Sequence, residues 1–137
     1  RVHGERHPEL FEINRIFNES ARDLESHFKK EEGVLFPFIE SLVKAQQSGQ
    51  PLGDIPFGTV ENPIAMMMHE HSAEGERFEE IVKLTNNYTP PADACNTYKV
   101  TYQMLQEFET DLNRHIHLEN NILFPKAIAL EKQLRQA

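Results

Sequence analysis

Apolar residues recur every three to four positions along three long stretches of the chain, which is the spacing of one helix face. The pattern predicts helices over residues of about 8–47, 62–87 and 94–134. Clusters of glycine and proline separate these stretches at 48–60 and 89–91. No segment alternates apolar and polar residues for long enough to form a strand. The sequence therefore predicts an all-α fold in which neighbouring helices are antiparallel.

Three long helices leave one side of a four-helix bundle open, because every apolar stripe needs a facing partner. We therefore interpret residues 1–137 as one domain, an antiparallel four-helix bundle with three of its long helices in this sequence. The chain begins with Arg1 rather than methionine, so we expect a fragment or processed product that lacks a preceding helix. A partner chain could take that place, and a homodimer is one such arrangement. Pro37 is expected to bend or interrupt the first helix, because proline lacks an N–H and crowds the preceding turn.

One pattern occurs twice, at 27–37 and at 115–125. In each copy a histidine lies four residues before a glutamate, and Leu-Phe-Pro begins four residues after that glutamate. A helix places residues i and i+4 side by side, so each copy offers an imidazole and a carboxylate to one point. Two such helices facing each other form the donor set of a non-haem di-iron or di-manganese site. The candidate ligands are His27, Glu31, His115 and Glu119.

Apolar residues follow each histidine at the spacing that continues the same helix face. The residues expected on this inner face are Val34, Leu35, Phe38, Ile122 and Leu123. The carboxylates are therefore predicted to be buried, where they need a cation or a shared proton. A buried network of histidine and glutamate without metal is the alternative.

The middle helix supplies further candidates. His71 shares a face with apolar residues and is predicted to point into the metal pocket. His69 lies about 200° away around the helix, so it is expected to be solvated or to support a ligand imidazole. Glu74 could orient an imidazole by accepting its N–H, whereas Glu70 is predicted to be solvated. His3, before the first helix, could reach the open end of the pocket as a further metal ligand.

The formal net charge of −8 disfavours binding to nucleic acid or to an anionic membrane, since both attract basic surfaces. Cys95 is the single cysteine, which excludes an intrachain disulfide and a thiolate-based metal site within one chain. Its role stays open. No apolar run reaches the roughly 20 residues of a membrane helix. These features together favour a cytoplasmic protein.

Four segments that cover most of the chain resemble one known family. They are HFKKEEGVLFP, MMHEHSAEGE, TNNYTPPADAC and HIHLENNILFP. The chain resembles the hemerythrin-like (HHE cation-binding) domain of the RIC family, the di-iron proteins of repair of iron centres. The resemblance implies a hemerythrin-like bundle. The residues matching the iron ligands are His27, His71 and His115, those matching the bridging carboxylates are Glu31 and Glu119, and His3 matches a further recurrent histidine.

The resemblance also implies a function. RIC-like proteins protect iron–sulfur clusters against nitric oxide and peroxide, and the implied mechanism is donation of ferrous iron to damaged or apo iron–sulfur proteins. The expected cofactor is two non-haem iron ions, oxo- or hydroxo-bridged, for which manganese or zinc could substitute. NO or O2 is the expected small ligand. The family's first helix, with another ligand histidine, and its short cysteine-containing N-terminal domain are both missing from this sequence.

Three other functions stay open at this point. The first is a hemerythrin-like module that binds or senses O2 or NO without turnover. The second is a ferritin-like oxidase, which the His-x3-Glu spacing disfavours because ferritins use Glu-x2-His. The third is a purely structural helical bundle. No glycine-rich nucleotide motif or nucleophile–base pair supports a hydride- or acyl-transfer enzyme, and whether the protein is an enzyme at all is left open.

Overall fold

The computed structural model describes residues 7–50, 52 and 58–136, and all regular structure in these residues is helical. In chain order the α-helices are α1 (Glu9–Lys30), α2 (Phe36–Ser48), α3 (Glu61–Leu84), α4 (Asn96–Leu118) and α5 (Phe124–Gln136). A first π-turn, Glu31–Leu35, joins α1 to α2, and a second π-turn, Glu119–Leu123, joins α4 to α5. The predicted all-α fold is confirmed. Within the described residues, none of the helices combines the length and apolarity that crossing a bilayer requires.

The chain divides into two compact units. Among the described residues, unit 1 comprises 7–23 and 72–115, and unit 2 comprises 24–50, 52, 58–71 and 116–136. Unit 2 has a core of aliphatic and aromatic side chains from α2, α3 and the residue before it, α5 and the first π-turn. Its fully buried members are Leu35, Leu42, Val60, Ile64, Met67, Phe124 and Ala127. Unit 1 buries apolar side chains of α1, α3 and α4, among them Ile13, Ile16, Phe78, Ile81 and Leu105.

The two π-turns begin at the two glutamates of the repeated pattern. In each, a phenylalanine N–H reaches back five residues, from Phe36 to the Glu31 carbonyl and from Phe124 to the Glu119 carbonyl. Proline follows each phenylalanine, and in an α-helix its ring would collide with the carbonyl four residues earlier. A turn widened by one residue relieves that collision and lets the chain continue as a helix. Of the two outcomes expected at Pro37, the structure shows an interruption: the α-helix gives way to a locally widened turn at Glu31–Leu35.

Each π-turn contains one extra residue, so residues within and after it are offset by up to about 100° from their places in an unbroken α-helix. Val34 and Ile122, expected on the inner face, are 46% and 43% exposed. Leu35 is buried as expected, while Phe38 and Leu123 are half-buried. The expectation for Val34 and Ile122 is wrong, because it counted an unbroken α-helix through the two prolines.

The start of α3 is anchored by a buried carboxylate of α5. Glu131 accepts the Val60 backbone N–H at 2.9 Å and also the Thr59 hydroxyl, and Arg135 donates to it at 3.2 Å. These bonds satisfy donors at the helix N-terminus, where the backbone has no partner of its own. They tie the start of α3, the helix that carries His71, to α5 within unit 2.

Unit 1 has an open apolar groove between α1 and α4. Its volume is about 470 Å³, and its lining includes Leu10, Phe17, Met104 and Phe108. Met104 is 63% exposed.

Glycine is needed at only one of two helix positions in unit 2. Gly49 ends α2 with φ +74°, a left-handed conformation that costs other residues about 1–2 kcal/mol. A Cβ at Gly33, in the first π-turn, would meet no atom within 4 Å. We expect Gly33→Ala to raise the free energy of unfolding by about 0.5–1 kcal/mol and Gly49→Ala to lower it. Urea denaturation of both variants checks this; a destabilised Gly33→Ala would show that glycine, not proline, permits the π-turn.

Candidate metal centre

Four buried donors from three segments meet in unit 2. His27 comes from the last turn of α1, Glu31 and Glu119 open the two π-turns, and His71 lies in α3. One ligand atom from each lies within 4.8 Å of the other three. All four residues are at most 4% exposed. The helical i, i+4 relation of the sequence pattern is seen directly in the 3.1 Å between His27 Nε2 and Glu31 Oε2.

The remaining separations are equally short. His71 Nε2 lies 3.2 Å from His27 Nε2 and 2.9 Å from Glu119 Oε1. Two nitrogen ligands, each about 2.0–2.1 Å from a shared cation at tetrahedral or octahedral angles, are themselves roughly 3 Å apart. The spacing of the donors therefore suits a common metal ion.

The outer nitrogens of both imidazoles are held by hydrogen-bond acceptors. His27 Nδ1 donates to Glu70 Oε1 at 2.7 Å, and His71 Nδ1 donates to Asn120 Oδ1 at 2.9 Å. Lys30 Nζ donates to the other Glu70 oxygen at 2.7 Å. A neutral imidazole that donates from Nδ1 carries its lone pair on Nε2. Both lone pairs are thus directed towards the two carboxylates.

This arrangement places only acceptors around one buried point. Two Nε2 lone pairs and two carboxylates repel one another unless a cation or added protons lie between them. Imidazole and carboxylate together favour divalent ions of iron, manganese or zinc over thiolate-seeking metals. The residues present therefore fit a metal ion of this class.

The protonation of the centre reflects the same crowding. Burial raises the pKa of Glu31; the bond to His27 opposes this, and the nearby Glu119 carboxylate raises it again. Burial lowers the pKa of His27, but Glu31 and Glu70 more than offset this, so the net shift is upward. Burial also raises the pKa of Glu70, yet Lys30 and His27 bring it below its ordinary value. Without a cation, His27 and Glu31 therefore bind protons more readily than the same side chains do in water.

Comparison with known proteins agrees with this geometry. The sequence of residues 1–127 matches the family model of the hemerythrin HHE cation binding domain. The chain belongs to this family. It is thus a hemerythrin-like all-α domain of a metal-binding family, as the sequence predicted.

Several similar proteins carry one name. The iron-sulfur cluster repair protein YtfE of Musicola paradisiaca strain Ech703 is 46% identical over 106 residues, which are 77% of this chain and 42% of that protein. The proteins of the same name from Yersinia pseudotuberculosis serotype IB strain PB1/+ and Yersinia pestis strain Pestoides F are 41% and 40% identical over 128 residues. Those residues are 93% of this chain and 52% of each protein. The chain thus spans about half the length of the relatives it matches.

The structure brings some of the HHE-domain candidates together and not others. His115, four residues before Glu119, is half-buried with its Nε2 atom shielded from solvent, but it is not one of the four convergent donors. Its role as a ligand stays a prediction. His3 lies outside the described residues. His69 is exposed, and Glu74 is buried in unit 1 against Ser20 and Arg77.

Two imidazole partners were missed by the sequence interpretation. Glu70 and Asn120, rather than His69 and Glu74, hydrogen-bond His27 and His71. The prediction that Glu70 is solvated is wrong, because its two oxygens bridge His27 and Lys30. The adjacency of Glu70 to His71 was an available signal, since neighbouring residues lie about 100° apart and Glu70 can flank the pocket.

Acid should release metal from this HHE domain and stabilise its apo form. A group whose folded-state pKa is raised makes stability fall as pH rises through that pKa. His27 and Glu31 both have raised pKa values, so the Tm of the apo protein should fall as pH rises above the ordinary range of a carboxyl group and then of an imidazole. Bound metal replaces those protons, so the gap in Tm between loaded and apo protein should widen across this range. Calorimetry of both forms checks it; a gap that narrows with rising pH would contradict the assignment.

Proposed function

We propose that this chain is a di-iron domain that protects or repairs iron–sulfur clusters by donating ferrous iron to damaged or apo iron–sulfur proteins. The observation that supports this most is the buried convergence of His27, Glu31, His71 and Glu119, with both outer imidazole nitrogens already bonded. The names of the YtfE relatives support the same assignment. We also propose a cytoplasmic location, where such client proteins are expected.

The side chains of this centre suit a protein that donates iron rather than one that stores it permanently. Histidine and glutamate hold ferrous iron less covalently than thiolates do, so a cysteine-lined cluster site would take the ion downhill. When bound, iron would supply an exchangeable, redox-active cation with positions open to NO or O2. The protein's part is to keep the imidazoles deprotonated at Nε2 and the carboxylates out of water. Manganese or zinc could occupy the same donors.

A second ion needs donors beyond the four. His115 lies one helical turn before Glu119 and is the nearest candidate in sequence. We propose that His115 would supply a nitrogen to a second ion and that Glu31 and Glu119 would supply carboxylate oxygens. His3 is a further proposed donor. The two-iron stoichiometry depends on these residues.

Iron transfer to a client protein tests the proposal. The chain would be loaded with ferrous iron without oxygen and mixed with an apo-ferredoxin, sulfide and a thiol reductant. Growth of the ferredoxin's cluster absorption should be faster than with the same amount of ferrous iron added together with Glu31→Ala protein, which should not bind it. A ferrous chelator of moderate affinity, present throughout, distinguishes direct transfer from release into solution.

The outcomes separate the candidate functions. Cluster formation that resists the chelator supports iron donation. Stable iron loading with no transfer, but with an optical change on adding NO or O2, would favour the gas-binding alternative. No loading with iron, manganese or zinc would overturn the metal assignment altogether.

A further inference from the structure

The two copies of the repeated pattern differ at the residue after the glutamate. Glu32 follows Glu31 and is exposed. Asn120 follows Glu119, is half-buried, and places its Oδ1 atom 2.9 Å from His71 Nδ1. The second π-turn therefore supplies a partner for an imidazole, and the first π-turn does not do so through the equivalent residue.

The amide of Asn120 suits the charge of its surroundings. Glu31 and Glu119 already place two carboxylates beside His71, and another buried negative charge would add to their repulsion. An amide oxygen accepts the Nδ1–H without adding charge. At His27 the acceptor is a carboxylate, Glu70, but Lys30 lies 2.7 Å from it and compensates its charge. Each imidazole thus has an acceptor that adds little net charge.

We propose that Asn120 is a positioning residue that holds His71 in its Nδ1-protonated tautomer. The Nε2 lone pair of His71 then faces His27 Nε2 and Glu119 Oε1, its partners in the metal centre. The second copy of the repeated pattern thereby contributes two adjacent residues with different roles. Glu119 is a metal ligand, and Asn120 orients a ligand on another helix. The metal-related part of this inference rests on the proposed function, whereas the tautomer can be observed in metal-free protein.

Asn121 offers a matched control in the same π-turn. Its side chain is exposed and hydrogen-bonds exposed His117 Nδ1 at 2.8 Å, outside the four donors. Asn120→Ala and Asn121→Ala therefore remove the same amide from adjacent positions, and only the first removes the partner of His71. Asn120→Leu, which keeps the approximate volume without an acceptor, serves if the alanine variant folds poorly.

The first measurement is the tautomer of His71 in apo protein, from long-range proton–nitrogen correlation of its ring at a pH where the imidazole is neutral. Wild-type protein and Asn121→Ala should show protonated Nδ1. Asn120→Ala should show a mixture of tautomers or a shift to protonated Nε2. If Asn120→Ala keeps the wild-type pattern, or if Asn121→Ala changes it equally, the proposal is overturned.

The second measurement is the affinity of the whole chain for Co2+, followed by its visible absorption. Loss of a group that orients a ligand imidazole lowers metal affinity by about 10–100-fold, which is the loss expected for Asn120→Ala. Asn120→Asp should restore the tautomer, because aspartate accepts the same N–H, while its added charge should lower the stability of the apo protein relative to wild type. Wild-type protein that shows the Asn120-dependent tautomer yet binds no Co2+ would overturn the proposed function and leave the positioning role standing.

Discussion

Replacing Glu31 with alanine should abolish metal binding by this domain. The substitution removes one of the four buried donors, and we expect at least a 100-fold loss of affinity, since even residues that only support a ligand contribute about 10–100-fold. Glu119→Ala should have the same effect. Iron bound per chain after anaerobic loading and desalting measures the loss directly.

Glu32 provides the control, because it is adjacent to Glu31 but exposed. Glu32→Ala should load iron like the wild-type protein.

The stability of apo protein gives a second readout, with the opposite sign. Glu31→Gln should melt at a higher temperature than wild type near neutral pH, because burial raises the pKa of Glu31 and its charge opposes folding. Equal metal loss in the Glu31 and Glu32 variants would refute the face assignment, and an apo Glu31→Gln less stable than wild type would refute the electrostatic account.

Replacing Phe124 with alanine should give the largest loss of stability of any single change considered for this chain. Phe124 is 1% exposed in the core of unit 2, and its ring lies parallel to that of His71 with centroids 6.0 Å apart. Removing a buried aromatic side chain lowers the free energy of unfolding by about 3–5 kcal/mol. Denaturation of apo protein by guanidinium measures it without any metal contribution.

Phe36 occupies the equivalent place in the first copy of the pattern but is 37% exposed. Phe36→Ala should therefore cost about 1 kcal/mol or less. A loss for Phe36→Ala as large as that for Phe124→Ala would contradict the orientation of the residues after the π-turns. Phe124→Ala should also weaken metal binding, since the ring that packs against His71 is gone.

The centre was predictable where it depended on local geometry. His27 with Glu31 follows from the i, i+4 relation in a helix, and that relation survives because the π-turn begins only at Glu31. The inward position of His71 follows from its apolar neighbours on α3. These residues could be assigned from sequence because a helix face is a property of spacing alone.

The orientation of residues after each glutamate was not predictable in the same way. A proline within a helical pattern can end a helix, bend it or widen one turn, and the three outcomes place Val34 and Ile122 on different faces. The sequence shows the proline but not which backbone carbonyl moves away from it. Both copies widen, and both residues turn outward.

The partners of the imidazoles depended on contacts between distant segments. Glu70 meets His27 across 43 positions, and Asn120 meets His71 across 49. A sequence pattern predicts that charged and amide residues on the edge of a helix face are solvated, because spacing alone cannot show what packs beside them. The ligand role of His115 depends likewise on donors that the pattern of one helix does not define.

The most direct test of the metal centre is a crystal structure of the iron-loaded protein with anomalous diffraction measured at the iron edge. We expect an iron peak within bonding distance of His27 Nε2, His71 Nε2 and a carboxylate oxygen of both Glu31 and Glu119. A peak elsewhere, or carboxylates turned away from it, would contradict the account.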